Sequence, residues 1–253
     1  MKTYNKFLDY YDKIVRSVNN PIEDEVEFLI EDCIKEYKPE TKTILETACG
    51  TGVVAKELIN AGYKVTGLDI NEAMLSRAEK NIDKKNLVRA DMTNFDLKKT
   101  FDAIICNYNS ICHLLKWEDW QSFFEMVNKH LEKDSLFVFD INTIYEFESI
   151  TKDFVQFYNF DQDTVCLEMQ KNDGIYEWLI KIFSKRKDGK YDLIEEIVKE
   201  NSFPINKIKK ELSVKGFKIL EIIDYHYGEV TAKSERVYFI CKKNEVFLKT
   251  KIY

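Results

Sequence analysis

The sequence predicts an α/β fold in which a parallel sheet, covered by helices on both faces, is interrupted by an inserted antiparallel β meander. Three observations predict it. Short apolar runs alternate with helical stretches between residues 43 and 141, the pattern of linked βαβ units. Runs such as AIIC and LFVFDI are apolar without alternation, as strands buried on both faces require. From about residue 145 to 201 the period changes, and Asp, Asn and Gly turn signals separate four strand-like runs.

Taken in order, residues 3–37 read as helical. Apolar positions recur at Phe7, Leu8, Tyr11, Ile14 and Val15, then at Val26, Leu29, Ile30 and Ile34, with Asn19, Asn20 and Pro21 between two helices. A first strand covers 43–48 and ends in Cys49-Gly50-Thr51-Gly52. The helix after it, led by Val53 and Val54, stops at Gly62. Residues 64–69 form a second strand, and Asn71 caps a helix running to about Asn81. Residues 87–90 and 101–106 are the third and fourth strands. Trp117, Trp120, Phe123, Phe124, Val127 and Leu131 mark a helix over 117–131, and 136–141 is the fifth strand. FVQFYNF, TVCLEMQ, GIYEWLIKIFS and YDLIEEIVKE make the meander. Pro204 opens a helix ending at Gly216, and strands over 217–227 and 235–242 follow as a hairpin.

The chain of 253 residues has a formal net charge of −6, so no nucleic-acid partner is expected, because phosphate neutralisation needs a basic face. The lysine-rich stretches read as solvated faces, and only Arg16, Arg77, Arg89, Arg186 and Arg236 offer a guanidinium fork. No apolar run approaches the roughly 18 residues of a membrane span, and MKTYNKFLDYYDK lacks an apolar signal core. A cytoplasmic location away from membranes is therefore expected. Cys33, Cys49, Cys106, Cys112, Cys166 and Cys241 form no C-x-x-C pair and predict buried free thiols, with no metal site.

Glu46-Thr47-Ala48-Cys49-Gly50-Thr51-Gly52 is the strongest candidate site. Its glycines allow a sharp turn and close backbone approach to a ligand at the start of a helix. Asp69, nineteen residues after Gly50, ends the second strand, where a carboxylate can accept both hydroxyls of a ribose. Gly50-Thr51-Gly52-Val53-Val54-Ala55 also fits the dinucleotide fingerprint G-x-G-x-x-A. Glu46 argues against a pyrophosphate there and suits a cationic ammonium or sulfonium.

LETACGTG, VTGLDIN, RADM, FDAIICNYNSICHLL and LFVFDIN, spread over roughly residues 40–143, together resemble the class I S-adenosylmethionine-dependent methyltransferases. FPINKIKKELSVKGFKIL followed by RVYFICKK is similar to that family's last helix and antiparallel hairpin. The resemblance implies a Rossmann-like seven-stranded sheet and methyl transfer from S-adenosyl-L-methionine to a small molecule, amine nitrogen favoured over oxygen. It implies Gly50 and Gly52 against the methionine moiety, Asp69 on the ribose, Ile70 against adenine, and Asp91 and Met92 at the adenine edge. Ala48, Met74 and Asn107 complete the implied contacts, and Glu46 stands where the family most often carries Asp. The chain then reads as one domain over 1–253. A helical cover spans 1–40, a cofactor-binding core 41–143, the insertion 145–201, and the helix and hairpin that complete the sheet 203–253.

Asn107-Tyr108-Asn109-Ser110-Ile111-Cys112-His113-Leu114 resembles the N-S-x-x-H-L stretch of glycine N-methyltransferases and amino-sugar N,N-dimethyltransferases, which also carry an insertion after strand five. The resemblance makes His113 the candidate catalytic residue. An imidazole with a reference pKa near 6.5 can take the proton an amine must lose before it attacks; a helix cap or wall contact is the competing role. His130 and His226 are poorer candidates. Of the aromatics Tyr4, Phe7, Tyr10 and Tyr11, the resemblance singles out Tyr11 as reaching toward the cofactor. Trp178, Tyr176, Phe157 and Tyr158 either line an acceptor pocket or form a dimer surface, leaving monomer and homodimer open, and Asn142 either orients a polar acceptor or serves a turn. No N-P-P-Y or D-P-P-Y follows strand four and no Pro-Cys nucleophile occurs, so base methylation of nucleic acid is not expected. A nicotinamide-dependent oxidoreductase and a non-catalytic S-adenosylmethionine-binding protein remain the competing functions.

Overall fold

The computed structural model describes residues 7–15, 22–153, 155–226 and 228–244. Tyr4, the helix break at Asn19, Asn20 and Pro21, and Tyr227 lie outside them. Helix α1 (Leu8–Val15) precedes α2 (Ile22–Glu27), which continues as a wider π-helical stretch over Phe28–Lys35. Next come β1 (Thr43–Thr47), α3 (Val53–Asn60), β2 (Lys64–Asp69), α4 (Glu72–Ala78), β3 (Leu87–Arg89) and β4 (Phe101–Cys106). Helix α5 (Trp117–His130), β5 (Leu131–Asn142) and α6 (Ile144–Asp153) lead to β6 (Val155–Phe160), β7 (Asp163–Asn172), β8 (Ile175–Lys185) and β9 (Tyr191–Glu200). Helix α7 (Ile205–Val214), β10 (Phe217–Asp224) and β11 (Arg236–Lys243) complete the described elements.

Seven strands form one sheet in the order β10-β11-β5-β4-β1-β2-β3. Strands β1 to β5 pair in parallel, and β11 is antiparallel to both β5 and β10. A dinucleotide-binding sheet would place a parallel sixth strand beside the fifth; here the hairpin takes that place. Ile44, Leu45, Ala103, Ile104, Ile105, Phe137 and Phe139 are fully enclosed, which is why these strands read as continuous apolar runs. One face packs Trp120, Phe123 and Phe124 of α5 against Phe137, Phe139 and Phe239; the ring pairs 137–139 and 139–239 stack with centroids 4.7 and 4.8 Å apart. The other face takes Phe28, Leu29, Cys33 and Ile34 from the π-helical stretch. Each such side chain contributes about 1.5–3 kcal/mol on burial.

The meander forms a separate four-stranded antiparallel sheet, β6-β7-β8-β9. Val165, Leu167, Ile180, Ile182 and Val198 alternate onto its inner face, where Phe7 and Ile14 of the N-terminal segment cover them. Three differences from the sequence reading have local causes. Strand β5 begins at Leu131, because Leu131 pairs with Phe101 across an irregularity and Asp134 adopts a left-handed φ of 59°. Helix α4 stops at Ala78 rather than Asn81. Helix α6 stands where the reading had only the start of the meander. Its signal was a capping box, Thr143-x-x-Glu146, and the Glu146 amide donates to Thr143 Oγ1 at 3.1 Å. All six cysteines are free thiols, five of them buried.

Candidate active site

The carboxyl ends of β1, β2 and β4 carry the chemistry, because the loops that leave a parallel sheet there converge on one crevice. After β1 the chain turns through Ala48 (φ 52°), Gly50 (φ 55°) and Gly52 (φ 72°), a left-handed series that brings backbone amides to the surface of the loop. Asp69 at the end of β2 accepts the Gly50 amide at 2.9 Å and the Asn71 amide at 2.8 Å. Those bonds lock the loop to the next strand while leaving lone pairs of the carboxylate for a ligand. Burial pushes the Asp69 carboxyl above the usual aspartate range, against the opposing pull of the two amides. Asn71 then caps α4, accepting the Ala73 amide at 2.9 Å.

A cavity of about 840 Å³ opens at this crevice, lined by Tyr11, Ala48, Gly50, Asp69, Ile70, Met74, Asp91, Met92 and His113 among the expected residues. Leu68, Asn71, Ala90, Ser110 and Leu114 line it as well, which the sequence reading missed. Ile70 is 42% exposed at its rim, an apolar shelf for a flat ring. Asp91 holds the Thr93 amide and hydroxyl at 2.8 and 2.7 Å, so the turn after β3 is set by its own side chain.

Three expected cofactor residues do not line the cavity. Gly52 faces α4 instead: a Cβ there would lie 2.9 Å from Ile82 Cδ1 and 3.1 Å from Ala78 Cβ, so its glycine serves helix packing. Glu46 and Asn107 are buried at the ends of β1 and β4. Both polar atoms of the Asn107 side chain, 4% exposed, are enclosed without a hydrogen-bond partner among the described residues, a costly arrangement. Cys49 in the loop is an inert thiol, since burial and then the nearby Glu46 and Asp69 push it far up.

A second cavity of about 880 Å³ adjoins the first, and Tyr11 and His113 line both. Its walls come from α1 and the residue before it (Phe7, Ile14), the turn after β4 (Tyr108, Asn109), Asn142, and the inner face of the meander, including Tyr158, Trp178 and Glu200. Tyr108 and Asn109 both adopt left-handed φ values, 55° and 46°, held in part by the Asn109 amide donating to the buried Asp140 at 2.7 Å. The turn so formed presents Ser110 to His113. His113 Nδ1 lies 3.4 Å from the Lys199 carbonyl and 3.7 Å from Glu200 Oε1.

The meander aromatics divide. Tyr158 and Trp178 line the second cavity. Tyr176 is buried against Phe147, with centroids 4.5 Å apart, and Phe157 points away, 62% exposed on the outer face. His130 is structural, with Nδ1 2.8 Å from the Met126 carbonyl and Nε2 accepting the Leu97 amide at 3.1 Å. Helix α1 spans both cavities: Asp12 accepts the Thr51 hydroxyl at 2.9 Å, Arg77 Nη1 donates to the Leu8 carbonyl at 2.8 Å, and Phe7 N donates to Glu196 at 2.9 Å. Among the described residues no cluster of metal-binding side chains occurs, and no helix is long and apolar enough to cross a membrane.

The profile of a methyltransferase domain matches residues 44–134. An S-adenosylmethionine-dependent methyltransferase from Clostridium acetobutylicum ATCC 824 is 26% identical and superposes with a TM-score of 0.81, over 95% of this chain and 99% of that one. The dTDP-3-amino-3,4,6-trideoxy-alpha-D-glucopyranose N,N-dimethyltransferase of Streptomyces venezuelae is 28% identical over 109 residues, 43% of this chain and 46% of that enzyme. The glycine/sarcosine N-methyltransferase of Parasynechococcus marenigrum (strain WH8102) is 33% identical over 119 residues, 45% and 41% of the two chains. A glycine turn after β1, an aspartate at the end of β2 and a sheet closed by an antiparallel hairpin accompany these likenesses. Residues 44–134 carry a methyltransferase domain, and nearly the whole chain is similar to an S-adenosylmethionine-dependent methyltransferase.

Proposed function

We propose that the protein methylates an amine nitrogen of a small molecule, with the first cavity holding S-adenosylmethionine and the second the acceptor. The observation that carries this reading is that the two cavities adjoin and share Tyr11 and His113. When bound, the cofactor supplies a methyl carbon already activated by its positively charged sulfur. The protein's own part is to align the nitrogen with that carbon, exclude water and receive a proton, and alignment alone can be worth several kcal/mol.

Asp69 takes the ribose hydroxyls, and Ile70 and Met92 flank the adenine. His113 receives the amine proton. Its Nδ1 lies beside a carbonyl and a carboxyl oxygen, which accept, so that nitrogen carries the hydrogen and Nε2 keeps the lone pair. Residues 41–143 then act as the cofactor-binding core, and the meander over 145–201 as the acceptor wall. The nitrogen preference is supported by the two N-methyltransferases to which parts of the chain are similar.

The test is calorimetric titration with S-adenosylhomocysteine, followed by transfer of labelled methyl to a panel of small amines and matched alcohols. Micromolar binding and methylation of amines is the expected result. Stabilisation by NAD but not by S-adenosylhomocysteine would return the site to a nucleotide oxidoreductase, and methylation of the alcohols alone would move the acceptor atom to oxygen.

A further inference from the structure

Resting on that reading of the second cavity, we propose that it selects an ammonium group carried on an uncharged skeleton, with Glu200 as the residue that sets this specificity. Glu200 ends β9 on the inner face of the meander and is 4% exposed, yet it lines the cavity. Its Oε2 accepts Trp178 Nε1 at 2.8 Å and its Oε1 accepts Asn109 Nδ2 at 3.1 Å, so both of these donors are neutral. No lysine or arginine is among the described residues that line the cavity. The remaining neighbour, His113 Nδ1 at 3.7 Å, is a countercharge only when protonated, so beside the neutral imidazole this enclosed carboxyl favours a positive ligand.

The surrounding walls fit the same ligand. Trp178, Tyr158, Tyr108 and Tyr11 present aromatic groups to the cavity, and aromatic faces attract a desolvated ammonium. Leu167, Ile180 and Val198 supply an apolar floor. An acceptor with a carboxylate or phosphate next to its nitrogen would bring a second negative charge against Glu200 with no guanidinium to meet it. His113, 3.7 Å from Glu200, is in place to receive the proton the ammonium must lose before its lone pair forms the new N–C bond and the C–S electrons return to sulfur.

The test titrates the enzyme, saturated with S-adenosylhomocysteine, with benzylamine, phenylglycine and benzyl alcohol. Benzylamine should bind at least tenfold more tightly than either comparator. Glu200→Gln should lose that preference, with its affinity for S-adenosylhomocysteine and its melting temperature unchanged. Trp178→Phe, which keeps the packing, should weaken benzylamine severalfold and leave benzyl alcohol as it was, which provides a second readout should Glu200→Gln fold poorly. Phenylglycine binding as well as benzylamine, no binding of benzylamine, or an unchanged amine preference in both variants would overturn the proposal. Failure of the unmodified protein to bind S-adenosylhomocysteine would instead sink the methyltransfer reading on which it rests.

Discussion

The two cavities are built in opposite ways. The first cavity, proposed for the cofactor, is apart from Tyr11 lined from residues 48–114, by turns at the ends of neighbouring parallel strands whose amides and capping side chains hold one another. The second cavity, proposed for the acceptor, takes single side chains from α1, the turn after β4, the end of β5 and the meander, and its geometry exists only once those distant segments have packed. A site written in consecutive backbone turns tolerates little change, whereas one written in projecting side chains can be altered residue by residue without disturbing the sheet. That difference explains how one scaffold can keep its cofactor and vary its acceptor.

The largest expected effect strikes where the two sides join. Arg236 on β11 donates to Asp140 of β5 at 2.6 Å and to Glu25 of α2 at 3.1 Å, and Tyr238 also donates to Glu25, at 2.7 Å. Asp140 in turn holds the Asn109 amide of the His113 turn. Burial pushes both carboxyls up and Arg236 pulls them back. Arg236→Met leaves two acids buried without their cation and should cost about 3–5 kcal/mol of stability. For acids whose folded pKa is raised, stability is present at low pH and lost as pH rises through that pKa, so the variant should recover part of its loss in mildly acidic buffer. Thermal melts of both proteins across pH 5 to 8 read this out, and a constant difference would refute the cause given.

Next in size is Asp69→Ala. Loss of the ribose bonds should weaken S-adenosylhomocysteine binding roughly tenfold or more, each charge-assisted bond being worth about 1.5–3 kcal/mol. Because the loop is also tied through Asp69 to Gly50, a loss confined to acceptor binding would mean that the comparison has its two sides reversed. A smaller effect follows from the raised Asp69 pKa. Protonation removes an acceptor from the ribose, so cofactor affinity should fall as pH drops through a value above the ordinary aspartate range near 3.9. Without ligand the sign is opposite, since Asp69 contributes stability at low pH that is lost as pH rises. Titrations of the native protein and of Asp69→Asn should diverge in slope only in that acidic window.

Legibility in the sequence divides along the same line. Ala48, Gly50, Asp69, Ile70, Met74, Asp91 and Met92 all line the first cavity; local signals of strand end and glycine turn picked out Gly50, Asp69, Asp91 and Met92, and the resemblance supplied Ala48, Ile70 and Met74. Gly52 lies off the cavity lining, packed against Ala78 and Ile82, because a glycine needed for helix packing and one needed for ligand approach look alike in sequence. Glu200 went unseen for a different reason. In β9 both faces carry apolar residues, Ile194 and Val198 inward, Leu193 and Ile197 outward, so alternation could not say which way a terminal glutamate points. The same ambiguity left Phe157 grouped with Tyr158, although the register sends it to the outer face; Tyr176 shares the inner face with Trp178, and it is Phe147 of α6, packed on its ring, that takes it out of the cavity. Helix α6 was readable from its capping box, but its aromatic residues merged with the strand pattern that follows.

The smallest effect tests how the assembled side is held. Thr51 belongs to the cofactor loop, yet its hydroxyl donates to Asp12 on α1, the helix whose Tyr11 lines both cavities. Thr51→Val keeps the shape and removes that bond, a loss of about 1 kcal/mol. Helix α1 has only two turns and is secured by such side-chain contacts, so the cost should appear as local opening and leave the global melt unchanged. Amide hydrogen exchange in α1 should speed up about fivefold while β1, β4 and β5 exchange as before. Acceleration throughout the sheet would mean that α1 and the core open together, and the two sides would then be one cooperative unit rather than a fixed half and an assembled half.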